Sequence, residues 1–101
     1  MTKPVIETVT FKLNPGVSRE EFAKAAQAIS AFASKREGFI SRRLSCTNDG
    51  LWIEHIEWAS LEAAQSAAAA IGTDPTLENC MSAIHGPSVT LHHSDLEISV
   101  N

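Results

Sequence analysis

Apolar and polar residues alternate with a period of two along four segments of the chain, which is the pattern of half-buried β-strands. In the first segment, Val5, Val9 and Phe11 fall on one side and Thr8 and Thr10 on the other. The predicted strands cover residues 4–13, 39–47, 51–58 and 88–99. Asn-Asp-Gly at residues 48–50 separates the second strand from the third and predicts a hairpin with glycine in the left-handed conformation.

Two other segments repeat their apolar residues at helical spacing. The first follows Ser18, a residue type that caps helix N-termini, and is predicted to run to about Arg36. The second follows Ser60 and ends at Ile71, with an alanine-rich inner stripe that lets the helix approach the sheet closely, made of Leu61, Ala64, Ala68 and Ile71. A short third helix is predicted over residues 76–84.

The order of these elements is strand, helix, strand, strand, helix, strand. With right-handed crossovers, this order predicts an α+β fold of the ferredoxin-like βαββαβ type, with both helices on one face of an antiparallel four-stranded sheet. The length of 101 residues fits one domain, residues 1–101. Because so small a core leaves the second face of the sheet uncovered, we expect a homodimer whose open faces meet.

Charge and hydropathy exclude several classes of partner. The formal net charge is −4, and no basic run is longer than the pair at residues 42–43, so no nucleic acid is expected. No apolar run approaches the ~20 residues of a membrane span, and no export signal is visible at the N-terminus. We therefore expect a soluble, cytoplasmic protein with no membrane partner. Cys46 and Cys80 lack CxxC spacing and are predicted to be reduced, packed thiols.

The length of the hairpin loop decides which side chains share a face. A three-residue loop places Trp52, Glu54 and Trp58 on one face together with the residues Ile40, Arg42, Leu44 and Cys46, whereas a two-residue loop exchanges the partners. We prefer three residues, since this choice gathers most large apolar side chains on the face that the helices cover. His55 and Glu57 then lie on the open face.

The same alternation places four ionisable residues on the helix-covered face: Glu7, Arg42, Glu54 and His93. Ionisable groups in an apolar cleft beside aromatic rings form a default candidate site. Each also has a structural interpretation, because Arg42 and Glu54 are suited to a cross-strand ion pair and His93 to a hydrogen-bonded core position. Trp52 and Trp58 are either core residues or the walls of a site for a flat ligand.

No cofactor motif accompanies these residues. His92 and His93 are adjacent and point to opposite faces, and no other ligand spacing is present, so no metal is predicted. The sequence has no glycine-rich phosphate loop, and no nucleotide cofactor is expected.

Four stretches, PVIETVTFKLNPGVSREEF, GFISRRL, DGLWIEHIEWASLEAA and SVTLHH, resemble the antibiotic biosynthesis monooxygenase-like family of dimeric α+β barrels over essentially the whole chain. The resemblance implies oxidation of a planar, acidic aromatic such as a quinol or anthrone by molecular oxygen, without metal or flavin, or a related isomerase or cyclase reaction. The alternative is a non-catalytic homodimer that binds a ligand or serves as a scaffold. A hollow helix-covered face favours the enzyme, and a filled one favours the alternative.

The resemblance also implies roles for individual residues. Glu7 or His93 would be the base, Arg42 would hold the resulting anion, and the binding site would include Trp52, Glu54 and Trp58. The sequence departs from the family at two positions. Glu7 replaces the asparagine that haem-degrading relatives use, and Ala67 stands where many members carry a histidine.

Overall fold

The computed structural model describes residues 3–101. Its strands are β1 (Val5–Phe11), β2 (Phe39–Cys46), β3 (Trp52–Trp58) and β4 (Thr90–Asp95). Its helices are α1 (Arg19–Ala25), α2 (Gln27–Ser34), α3 (Leu61–Ile71) and α4 (Glu78–Ser82), and 3₁₀ turns at Pro75–Leu77 and Gly86–Ser88 flank α4.

The strands form one antiparallel sheet in the order β2-β3-β1-β4. This order and the helices between the strands confirm the predicted α+β, ferredoxin-like fold. Buried side chains of β1 and β3 pack against the helices in two clusters, one around Phe22 and Trp52 and the other around Ala64 and Trp58. We call the helix-covered side of the sheet the inner face and the opposite side the outer face. Within the described residues, no helix has both the length and the apolar character needed to cross a membrane.

The β2–β3 hairpin has the three-residue loop that the pattern favoured. The Thr47 N–H donates to the Leu51 carbonyl at 2.8 Å, which leaves residues 48–50 as the loop, and Gly50 has a φ of 89°. Leu44 then pairs with Glu54 and Cys46 with Trp52. The face assignment of Glu54 and of both tryptophans is therefore confirmed.

Ile40 is the exception on β2. A β-bulge between Phe39 and Ser41 shifts the register, so that Phe39 pairs with Trp58 and their rings pack edge to face at 5.8 Å. Ile40 is 47% exposed, and its predicted place on the inner face is wrong. A bulge adds one residue to a strand and reverses the alternation at that point.

Both predicted helix caps are present. Ser18 Oγ accepts the Glu21 N–H at 3.0 Å, and Ser60 Oγ accepts the Ala63 N–H at 3.2 Å. The first predicted helix, however, is divided into α1 and α2 at Ala26. The Ala26 carbonyl accepts the N–H of Ile29 at 3.1 Å and a guanidinium N–H of Arg42 at 2.9 Å. The helix therefore breaks where a strand residue is bonded to its backbone.

Strand β4 is shorter than the predicted strand over residues 88–99. β4 begins at Thr90, since residues 86–88 form a 3₁₀ turn, and ends at Asp95, which pairs with the first residue of β1. Beyond Asp95 the Leu96 N–H donates to the Pro4 carbonyl at 2.9 Å. Within residues 3–101, β1 begins at Val5, and the pattern at residues 96–99 does not produce further strand.

Small residues let α3 lie close to the sheet. Ala64 and Ala67 are buried, whereas Leu61, predicted on the same stripe, is exposed. At Gly38 a Cβ atom would lie 2.6 Å from the Ala63 Cβ, and the φ of Gly38 is 87°. Only glycine satisfies both conditions at this position.

Candidate active site

A cavity of about 280 Å³ lies between the inner face and the helices. Its lining draws on both core clusters and is apolar except for Glu7, Arg42 and Glu54. Three further lining residues, Met81, Val89 and Leu91, are partly exposed and mark the side on which the cavity meets solvent. The remaining lining residues are Val9, Phe11, Phe22, Ile29, Phe32, Ala33, Ile56, Trp58, Ala67, Ala68, Ile71, Ile84 and Gly86.

The four predicted ionisable residues form a band that crosses all four strands. In the order of the sheet they are Arg42 on β2, Glu54 on β3, Glu7 on β1 and His93 on β4. Glu7 is directly paired with His93 in the strand register. The carboxylates of Glu54 and Glu7 therefore occupy the centre of the band. The guanidinium of Arg42 lies on one side of them and the imidazole of His93 on the other.

Glu7 is held by two neighbours and lines the cavity. His93 Nε2 lies 2.9 Å from Glu7 Oε2, and Trp58 Nε1–H donates to Glu7 Oε1 at 3.4 Å. The Glu7 side chain is 8% exposed and that of His93 19%. Glu7 therefore connects the cavity to a more accessible histidine on the edge strand.

Arg42 and Glu54 form a bidentate ion pair, in which Nε and Nη2 of Arg42 lie 3.0 and 2.8 Å from Glu54 Oε1. The Nη1 group donates to the Ala26 carbonyl at 2.9 Å and to Ser30 Oγ at 2.7 Å. These contacts use four of the five guanidinium hydrogens. Within the described residues, one Nη2 hydrogen of Arg42 remains without a partner.

The pKa of Glu54 is raised above its ordinary value. Burial is the largest cause, since it penalises the charged carboxylate, and the charge of Glu7 acts in the same direction. The hydrogen bonds and charge of Arg42 oppose the shift without outweighing it. The carboxylate of Glu7 is thus close enough to disfavour the ionisation of Glu54.

Four of the six predicted site residues line this cavity: Glu7, Arg42, Glu54 and Trp58. The other two, Trp52 and His93, are not part of the lining. The Trp52 ring is stacked on Phe11 at 6.4 Å and meets Phe22 edge to face at 4.8 Å. Trp52 thus fills the core at one end of the inner face, although it shares that face with Trp58.

Sequence reasoning missed Met81 at the rim of the cavity, because α4 is too short for a periodic pattern to assign its faces. The two other rim residues follow from the strand alternation, since the parity that places His93 on the inner face also places Val89 and Leu91 there. The alanines of α3 indicated part of the cavity. Small side chains at Ala67 and Ala68 leave the space that larger residues would fill, and the sequence indicated only that α3 approaches the sheet closely.

Metal-binding and thiol chemistry have little support in this region. Across residues 3–101, no group of three or more histidine, cysteine, aspartate or glutamate side chains converges on one point. Both cysteines are free thiols, as predicted, and burial raises the pKa of Cys80 to about 11. A buried thiol with a raised pKa is a poor nucleophile.

The architecture is that of the antibiotic biosynthesis monooxygenases. SnoaB, a cofactor-independent oxygenase from Streptomyces nogalater, matches with a TM-score of 0.67 and 18% identity, covering 99% of this chain and 97% of that one. The ActVA-Orf6 monooxygenase of Streptomyces coelicolor, solved with the ligand Nanaomycin D, matches with a TM-score of 0.74 and 16% identity, covering 98% of this chain and 92% of that one. A proposed antibiotic biosynthesis monooxygenase from Bordetella bronchiseptica matches with a TM-score of 0.77 and 13% identity, covering 96% of this chain and 100% of that one.

These similarities extend over nearly the entire chain and confirm the resemblance in fold that the sequence indicated. No protein-family model and no curated protein sequence matches the chain. At such low identities the shared feature is the fold, so the chemistry has to be argued from the side chains of the cavity.

Proposed function

We propose that the chain is a monooxygenase that oxidises a small planar aromatic of the quinol or anthrone type with molecular oxygen and without a cofactor. The observation that carries this proposal is the apolar cavity with Glu7 in its wall. Its volume of about 280 Å³ is just below the range of roughly 300–1,000 Å³ that is usual for small-molecule sites. The substrate is therefore a compact ring system with few substituents.

Glu7 is the base in this proposal. It is the carboxylate of the band that touches the cavity without being bonded to a guanidinium, and its contacts with His93 and Trp58 hold it in place. His93 does not line the cavity, so its role is to orient Glu7 through the 2.9 Å contact. General-base catalysis by a positioned carboxylate contributes about 10²–10⁴-fold to a rate.

The reaction begins when Glu7 takes a proton from the acidic C–H or O–H of the substrate. The remaining hydrogen of Arg42 Nη2 is the donor suited to the substrate oxygen on which the negative charge then rests. The substrate anion supplies electrons to oxygen. For an anthrone, one oxygen atom becomes the new carbonyl, and the other leaves as water with the two hydrogens of the oxidised carbon.

The structural similarity to SnoaB, a cofactor-independent oxygenase, supports the same class of reaction. The alternative, a non-catalytic homodimer, is favoured by a filled inner face. Trp52 itself is packed into the core, but a hollow lined by residues of both clusters lies on that face. The hollow contains the base, and for this reason we place the enzyme first.

We also propose that the protein acts as a homodimer whose outer faces meet. Ile6 and Ile53 are half-buried apolar residues on the outer face, next to the exposed His55. A second copy would cover these residues. Sedimentation at micromolar concentration tests the proposal, and a monomer under these conditions would contradict it.

The test of the function is to close the cavity. Ala68 lines it, whereas its neighbour Ala69 is exposed and lies outside the lining. We expect Ala68→Phe to abolish aerobic anthrone oxidation and the binding of anthrone, followed by quenching of tryptophan fluorescence. Ala69→Phe, the same change one residue along α3, should leave both intact. Equal activity of the two variants, or none in the parent protein, would refute the proposed function.

A further inference from the structure

The charges around the cavity restrict what can enter it. Of the three ionisable lining residues, two are carboxylates and one is a guanidinium. The Arg42 charge is balanced by Glu54 through the bidentate pair. Within residues 3–101, Glu7 has no guanidinium partner, because its neighbours are an imidazole and an indole N–H. The wall therefore contains one carboxylate that no arginine or lysine balances.

An anionic substituent would enter this cavity at a high cost. The lining is mostly apolar, and two like charges at short distance repel far more strongly there than in water. The arginine can offer the newcomer its one remaining Nη2 hydrogen but no unpaired charge, since Glu54 already balances that charge. A carboxylate on the substrate would thus lose its hydration and gain no more than one hydrogen bond in return.

A neutral substrate meets no such penalty, even though it becomes an anion during the reaction. When Glu7 takes the proton, the carboxylate becomes neutral at the moment that the substrate becomes negative. The net charge of the cavity stays the same, and the negative charge only moves from Glu7 to the ring system. The site is therefore suited to create an anion inside the cavity and unsuited to admit one from solvent.

We infer that Glu7 and the closed Arg42–Glu54 pair make the site selective for uncharged planar aromatics and exclude those that carry a carboxylate. This inference rests on the proposed function for the reaction, but the selectivity itself is a property of binding. Glu54 is then a specificity-determining residue, because its carboxylate balances the charge of Arg42, the cation that lines the cavity.

The experiment compares two anthrones that differ in one substituent, anthrone-2-carboxamide and anthrone-2-carboxylate, at pH 8. Their dissociation constants are measured by tryptophan fluorescence in the absence of oxygen, and their turnover is measured in air. We expect the carboxamide to bind the parent protein about tenfold or more tightly than the carboxylate. Equal binding, or preference for the carboxylate, would overturn the inference.

The same comparison is made with Glu54→Gln. Glutamine keeps a hydrogen-bond acceptor near Arg42, but it carries no negative charge and therefore leaves the Arg42 charge unbalanced. The carboxylate should then bind at least as tightly as the carboxamide. Glu57→Gln, the same change on the outer face, should keep the preference of the parent protein. An unchanged preference in Glu54→Gln would show that Glu54 does not set the selectivity.

The two readouts separate the two proposals. Selective binding without turnover would contradict the monooxygenase proposal and leave the charge selectivity supported. Turnover of both anthrones with equal efficiency would support the enzyme and contradict the selectivity. Failure of both anthrones to bind would overturn both proposals.

Discussion

Two pairs of ionisable residues lie on the inner face, and they are held in opposite ways. Arg42 and Glu54 are closed on each other by a bidentate contact, and Arg42 is also bonded to the Ala26 carbonyl and Ser30. Glu7 has a single contact to each of its partners, His93 and Trp58, and the contact to Trp58 is long, at 3.4 Å. We call the first pair saturated because four of the five Arg42 hydrogens are bonded and a single donor is left, whereas the second pair retains acceptor capacity toward the cavity.

The difference separates a structural pair from a reactive one. A saturated pair joins β2, β3 and the α1–α2 junction, and losing one partner leaves a buried charge uncompensated. A carboxylate with spare acceptor capacity can accept a proton from a ligand without breaking the fold. We therefore expect substitutions at Glu7 to change activity, and substitutions at Arg42 to change stability first.

The largest expected effect is on turnover, in Glu7→Gln. Glutamine keeps the size and the hydrogen bonds of the side chain but cannot act as a base, so anthrone oxidation should fall about 10²–10⁴-fold. The midpoint of thermal unfolding should change little. Glu57→Gln, the same substitution on the outer face, should retain the activity of the parent protein. Full activity in Glu7→Gln would remove the distinction between the two pairs.

The second effect is on stability, in Arg42→Met. Removing the cation strands Glu54, and the free energy of unfolding should fall by about 3–5 kcal/mol in urea titrations. Arg43→Met changes the adjacent, exposed arginine and should stay within about 0.5 kcal/mol of the parent. The double variant Arg42→Met/Glu54→Leu should recover most of the loss, because two packed apolar residues replace the pair. A small loss in the single variant would show that the pair is not structural.

Much of this arrangement was predictable from the sequence. Strand alternation together with the hairpin loop placed Glu7, Arg42, Glu54 and His93 on one face, and the observed register agrees. The period-two pattern encodes which way each side chain points. It does not encode which partners are saturated, since Ala26 and Ser30 come from a helix whose contact with Arg42 is a tertiary property.

The sequence also did not predict which of the two tryptophans borders the cavity. Trp52 and Trp58 lie six residues apart on one strand and one face, yet Trp52 is enclosed by Phe11 and Phe22 while Trp58 borders the cavity. Their neighbours are set by different helices, since Phe22 of α1 packs against Trp52 and the alanines of α3 belong to the cluster of Trp58. A cavity forms where the side chains of several elements fail to fill the space between them, so the residue pattern of a single strand cannot predict it.

The third expected effect isolates one bond of the saturated pair. Ser30→Ala removes the acceptor that lies 2.7 Å from Arg42 Nη1, and a hydrogen bond to a charged group is worth about 1.5–3 kcal/mol. The free energy of unfolding should fall within that range. Ser34→Ala, one turn along α2, removes a hydroxyl that donates to the Ala31 carbonyl of its own helix, and it should have a much smaller effect. Equal losses in both variants would mean that Arg42 draws no support from the helix.

The smallest expected effect is a pH dependence that belongs to Glu54. Burial raises the pKa of its carboxyl in the folded state above the ordinary value of 4.5. The folded protein then binds this proton more tightly than the unfolded chain does, so the resulting stabilisation is complete below about pH 4.5 and is lost as the pH rises through the folded-state pKa. Glu54→Gln has no such proton to bind. The difference in unfolding free energy between the parent protein and Glu54→Gln, measured in urea from pH 4 to pH 8, should therefore move against the parent as the pH rises. A shift in the opposite direction would show that the hydrogen bonds and charge of Arg42 outweigh burial in setting the pKa of Glu54.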